Sequence, residues 1–241
     1  MKNTGRTTIL ITLAAIASNS YGSITSYTAA AHAEVDHYYA YFNGSGSVVY
    51  DSASDNFPMN FSLPTTDTTI GGDLMESSLS FKSALTASSS TYLQLDGSVA
   101  EHSHTSTADG VNFSNSFVIG DQSLTFNLDT PGVVTLTESN SVFSSQGGTS
   151  NETLLYLDGT FYQFSGAPDN TYSIAVGAGH HYALTRGNIQ TYSGEDGNGA
   201  SSSECDLSAD YQITVTTTPE PCTFLLIPAF VLGLRRRRAH R

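Results

Sequence analysis

From Tyr38 onward, apolar and polar residues alternate over short segments that turn residues separate. Leu79 and Phe81 alternate with Ser80 and Lys82, and Leu124, Phe126 and Leu128 with Thr125 and Asn127. Tyr172, Ile174 and Val176 alternate with Ser173 and Ala175, and Tyr211, Ile213 and Val215 with Gln212, Thr214 and Thr216. A period of two sends one set to a core face and the other to solvent, the mark of a half-buried strand. Enrichment in Thr, Val, Tyr and Phe agrees. Asp158-Gly159 joins residues 153–157 (TLLYL) to 160–164 (TFYQF) and suits the positive φ angles of a type I′ hairpin turn. Asp96-Gly97 after 91–95 (TYLQL) predicts a second hairpin, and Pro131-Gly132 a turn before 133–137. No amphipathic helix of ten or more residues follows the first two dozen positions.

Strands at spacings of roughly 8 to 12 residues predict an all-β, single-domain antiparallel β-sandwich or jelly roll. A β-solenoid lacks the fixed period of about 20 residues that it would need. Residues 87–90, 144–150 and 193–203 read as polar loops, and 216–218 as a linker.

The two ends follow another logic. Lys2 and Arg6 precede an apolar run over 7–17 (TTILITLAAIA) and then small residues. A positive segment before an apolar stretch of about 11 residues is a signal peptide, too short to span a bilayer. Cleavage falls after Ala17 or Gly22; Ala31-His32-Ala33 also fits the small-x-small pattern but lies far beyond the apolar run.

At the other end Pro219, Glu220 and Pro221 precede an apolar run over 222–234 (CTFLLIPAFVLGL) and then Arg235, Arg236, Arg237 and Arg238. As a helix those residues cover about 20 Å, short of the hydrocarbon core of about 30 Å, and Pro228 interrupts them. That makes a poor permanent anchor and a sensible transient stop, held by cytoplasmic arginines. The order of Pro-Glu-Pro, apolar helix and arginine cluster resembles the PEP-CTERM sorting signal. Cys222 stands where that family more often has a small residue such as Ser or Ala. The resemblance covers about 23 residues and implies processing by a membrane protease-transpeptidase of the exosortase type. The division expected is a signal peptide over 1–22, a sandwich body over 23–216 and a sorting tail over 217–241, with a helix flanking the body at each end.

Charge sharpens this division. The formal net charge is −13, and seven of nine basic residues lie in the two end segments. Between Ser23 and Thr218 only Lys82 and Arg186 stand against 21 acidic residues, a balance of −19. Such a body repels phosphate backbones and lacks the basic footprint of a nucleic-acid binder. Cys205 and Cys222 could pair in an oxidising compartment, but Cys222 belongs to the tail, so no structural disulfide is expected.

Candidate chemistry is sparse. No G-x-S-x-G, H-E-x-x-H or phosphate-loop motif occurs. His102 and His104 would share one strand face, a spacing metal sites use, although no third ligand is evident in their stretch. His180-His181 would point to opposite faces. Residues 195–199, with Asp196 and Asn198, gather hard oxygen ligands beside Glu204 and Asp206, a donor set suited to calcium. The EF-hand spacing is not met: counting Asp196 as first, the fifth position is Ala200 and the sixth Ser201. Tyr38, Tyr39, Tyr41, Tyr162, Tyr182 and Tyr192 could stack sugar rings, or simply fill half-buried strand faces.

Taken together, the sequence predicts an exported, non-enzymatic protein of the cell envelope, surface or extracellular matrix, with a structural or adhesive role. Expected partners are signal peptidase, an exosortase-like enzyme and, as the resemblance implies, an extracellular polysaccharide. Membrane contact is transient, no cofactor is required, and calcium is the ion the acidic loop would suit. The alternatives are a secreted carbohydrate-binding module and, third, a secreted hydrolase.

Overall fold

A computed structural model describes residues 22–41, 44–54, 58–70, 73–107, 113–164, 169–193 and 201–218. The expected signal helix, the apolar tail, Pro219, Glu220, Pro221 and the four arginines lie outside them, as do Asp196 and Asn198. Among the described residues no helix is long and apolar enough to cross a membrane.

Twelve strands form the body: β1 (Ile24–Tyr41), β2 (Gly44–Ser54), β3 (Met59–Ile70), β4 (Asp73–Ser88), β5 (Tyr92–Thr107), β6 (Phe113–Leu128), β7 (Gly132–Gln146), β8 (Gly148–Leu157), β9 (Thr160–Phe164), β10 (Asn170–Val176), β11 (Gly179–Ser193) and β12 (Ser201–Thr217). They make two antiparallel six-stranded sheets, β2-β1-β6-β11-β8-β9 and β10-β7-β12-β5-β4-β3. The sheets pack face to face, so the expected all-β sandwich is what forms.

The strands run longer than the sequence suggested, up to 18 residues. β1 begins at Ile24, not near Tyr38, because its inward positions include Ala31 and Ala33, small residues whose strand signal is faint. Residues 144–150 are strand on both sides of Gly147, whose φ of 74° turns β7 into β8. Residues 216 and 217 complete β12 instead of forming a linker.

The Asp158-Gly159 hairpin forms as expected, both residues having positive φ (48° and 86°). Asp96-Gly97 does not turn. It lies inside β5, where Gly97 pairs with Tyr211 of β12 and Ser83 of β4. A Cβ there would collide with the Gln122 amide from the opposite sheet. Glycine is needed for close approach across the core, not for a bend.

The same logic governs a row of small residues. Ala33, Gly120 and Gly187 are successive neighbours across β1, β6 and β11. Phe81, Val99, Leu207 and Tyr211 of the second sheet lodge over them. A Cβ on Gly187 would sit 2.8 Å from Leu207 Cδ2 and 3.0 Å from the Tyr211 hydroxyl oxygen.

The interior has two halves. Where Leu93, Leu95, Leu124, Phe126, Leu136 and Ile213 meet, it is apolar. Toward the other end the inward positions become His37, Ser77, Ser103, Thr105, Ser116, Thr191 and Ser203, all buried. Five of these satisfy one another, as buried polar groups tend to: His37 Nε2 meets Ser77 Oγ at 3.0 Å, Ser77 meets Ser116, and Ser103 meets Thr191 at 2.7 Å, while Ser203 donates to the Tyr192 carbonyl.

The body's two boundaries meet at one pole. Ser23 is held by the Asp129 carboxylate through its backbone amide and, at 2.6 Å, its hydroxyl. Thr218 donates its hydroxyl to the Pro131 carbonyl at 2.7 Å. Both contacts land on the turn between β6 and β7.

Candidate metal-binding face

Among the described residues, the outer face of the second sheet carries a cluster of metal-type donor side chains. Inward-pointing Glu101, Ser103 and Thr105 leave His102 and His104 outward on β5, sharing one face as the spacing implied. β12 supplies the missing ligands. Glu204 and Asp206 belong to this strand, not to the loop before it: Asp206 pairs with His102 and Glu204 with His104. The calcium grouping therefore divides, its described acids standing beside imidazole.

One ligand atom from each of His102, Glu204 and Asp206 lies within 4.8 Å of the other two. The His102 Nδ1 to Asp206 Oδ1 distance is 2.7 Å. Alongside, His104 Nε2 meets Ser202 Oγ at 2.9 Å, while its Nδ1 stands 3.8 Å from Glu76 Oε2 on β4. That sequence of Glu, His and Ser invites comparison with a hydrolytic triad. The Glu76 contact exceeds hydrogen-bond length, so the carboxylate does not orient the ring, and Ser202 is an exposed strand residue.

His102 and Asp206 also line a groove of about 620 Å³ floored by Ser78, Ser80, Ala100 and Ser208 and walled by Leu63 and Pro64 of β3 and Val142 of β7. Small side chains at the floor make the depression. A second hollow of about 730 Å³ takes up the next positions along the same strands, with Lys82, Asp96, Ser98 and Asp210. Tyr38, Tyr162, Tyr182 and Tyr192 line neither hollow. Tyr162 packs on Tyr172 instead, with ring centroids 5.8 Å apart. The exposed rings of Phe161 and Tyr182 sit on the first sheet, each edge-on to Tyr156 at 5.3 and 5.9 Å.

His180 and His181 open β11. His181 is structural: Nδ1 meets Asp158 at 2.6 Å, Nε2 meets the Gly177 carbonyl at 3.0 Å, and its ring rests on Phe126.

Glu101 and Glu138 are among the buried carboxyls that face inward from the second sheet. Burial pushes Glu101 well above the carboxylate range, with the Gly120 backbone opposing it weakly. Burial also raises Glu138, which accepts from Thr153 and Gln163. Desolvation, then the fields of Glu138 and Glu101, hold the Tyr211 phenol well above its usual range. The two acids lie inside the sandwich, not across a cleft, so they do not form the carboxylate pair of a glycosidase. Cys205 is a free, buried thiol raised to about 11, chiefly by desolvation. No family model matches the chain, and no curated protein matches it.

Proposed function

We propose that this is an exported, non-enzymatic β-sandwich protein that its PEP-CTERM-like tail directs to the cell surface or extracellular matrix, with a structural or adhesive role. The observation that carries this reading is the agreement between the ends of the fold and the ends of the two targeting segments. β1 starts two residues after Gly22, and β12 stops two residues before Pro219. Among the described residues no strand pairing involves a position before Ile24 or after Thr217. Cutting at Ala31-His32-Ala33 would instead sever β1 through its buried half.

The test is expression of the tagged full chain in its native host, with and without alanine at Arg235, Arg236, Arg237 and Arg238. The expected result is a surface form that has lost the tail, and retention of the substituted chain at the membrane. A surface form that keeps its tail, or a substituted chain that is sorted normally, overturns the proposal.

A carbohydrate-binding module is the second reading, favoured by the exposed rings of Phe161 and Tyr182. Aromatic faces stack on sugar rings; glycan binding that Phe161→Ala abolishes would establish it.

A further inference from the structure

We propose that His102, Glu204 and Asp206 form a binding site for a divalent transition metal ion of the zinc class, open toward the groove on the outer face of the second sheet. Imidazole and two carboxylates are the donor set that zinc and its first-row neighbours take, whereas calcium and magnesium prefer oxygen alone. Ligands at about 2.0–2.2 Å from zinc in tetrahedral array stand about 3.3–3.6 Å apart. A triad already within 4.8 Å reaches that spacing by rotamer adjustment alone. His102 and Asp206, 2.7 Å apart, part slightly to admit the ion, which takes the Nδ1 lone pair of a neutral ring whose proton sits on Nε2.

The backbone contributes rigidity. The donors come from adjacent strands of a continuous antiparallel ladder in which His102 faces Asp206 directly, and both strands are interior to the sheet. Three protein donors leave a fourth position for water or an oxygen ligand, the pattern of an open zinc site. Because His102 and Asp206 line the groove, that position faces its space. His104 is outside the set, occupied by Ser202 and near Glu76. The inference concerns the sandwich alone and holds whether or not the tail sorts the protein.

The experiment is titration of the metal-free full chain with zinc, and separately with cobalt, whose visible spectrum reports its ligands. Wild type and the variants His102→Ala, Asp206→Asn and His104→Ala are compared in excess calcium. The expected result is one tight equivalent per chain that calcium does not displace. Affinity falls about tenfold or more, the scale on which even outer-shell changes act, in His102→Ala and Asp206→Asn, and is retained in His104→Ala. Circular dichroism and the urea midpoint confirm folding. Should His102→Ala not fold, the cobalt spectrum of wild type against Asp206→Asn decides instead. No tight zinc uptake, equal affinity in wild type and Asp206→Asn, or displacement by calcium overturns the proposal.

Discussion

His37 makes the stability of this protein depend on pH in a defined direction. Its imidazole is fully buried, and desolvation lowers its pKa from 6.5 to about 4. Above pH 6.5 the ring is neutral both folded and unfolded, so pH has no effect through it. As pH falls below 6.5 the unfolded chain takes up a proton that the folded chain refuses, and stability declines until about pH 4. Each pH unit of that gap is about 1.4 kcal/mol, so the full loss is about 3 kcal/mol, of which about 2 kcal/mol has appeared by pH 5. Glu101 and Glu138 act in the opposite sense: their raised pKa values mean that the folded chain gains stability as pH falls toward 4.5. The imidazole is isolated by comparison with His37→Gln, whose amide can still meet Ser77 Oγ. The assay is urea unfolding of the full chain at pH 7.5 and pH 5.0. Wild type should lose about 2 kcal/mol more than the variant across that interval, a relative midpoint shift of about 1 M at a urea slope of about 2 kcal/mol/M. Identical pH dependence in the two proteins would refute the reasoning, since it would mean that the buried ring does not resist protonation.

Other consequences are equally direct. Gly187→Ala should destabilise by about 1–3 kcal/mol, the range for an overpacked core, because the new methyl meets Leu207 and Tyr211; thermal unfolding reads it, and an unchanged Tm would contradict the packing described. Cys205, buried and raised to about 11, should resist alkylation at pH 8 in the folded Cys222→Ser chain and react fully in urea. Signal cleavage after Gly22 should give a mature N-terminus at Ser23, where the new ammonium group replaces the amide held by Asp129. N-terminal sequencing of the exported form checks this, and a start at Ser18 would contradict it.

The fold class was legible because most core strands carry large residues at every second position, as in Leu124-x-Phe126-x-Leu128. Extent was harder to read. β1 buries alanines, and the polar half of the interior buries serines and threonines, so alternation persists in space while its hydropathy contrast disappears. Two Asp-Gly pairs show why dipeptides alone mislead. Asp158-Gly159 stands between strands that pair with each other, whereas at Asp96-Gly97 both neighbouring strands continue past the pair. The candidate metal-binding face was visible only in halves. His102 and His104 announced themselves by spacing, but their carboxylates lie about a hundred residues away, and only the β5–β12 register brings them together.

Because Ser23 and Thr218 are fastened to one turn, entry and exit of the chain share a single pole. The strands rise from it for about 50 Å at about 3.3 Å per residue. His102, Glu204 and Asp206 lie toward the far ends of β5 and β12. A tether joined at residue 23 or at residue 218 would therefore load the same end of the sandwich. The candidate metal-binding face would then lie at the end remote from that tether.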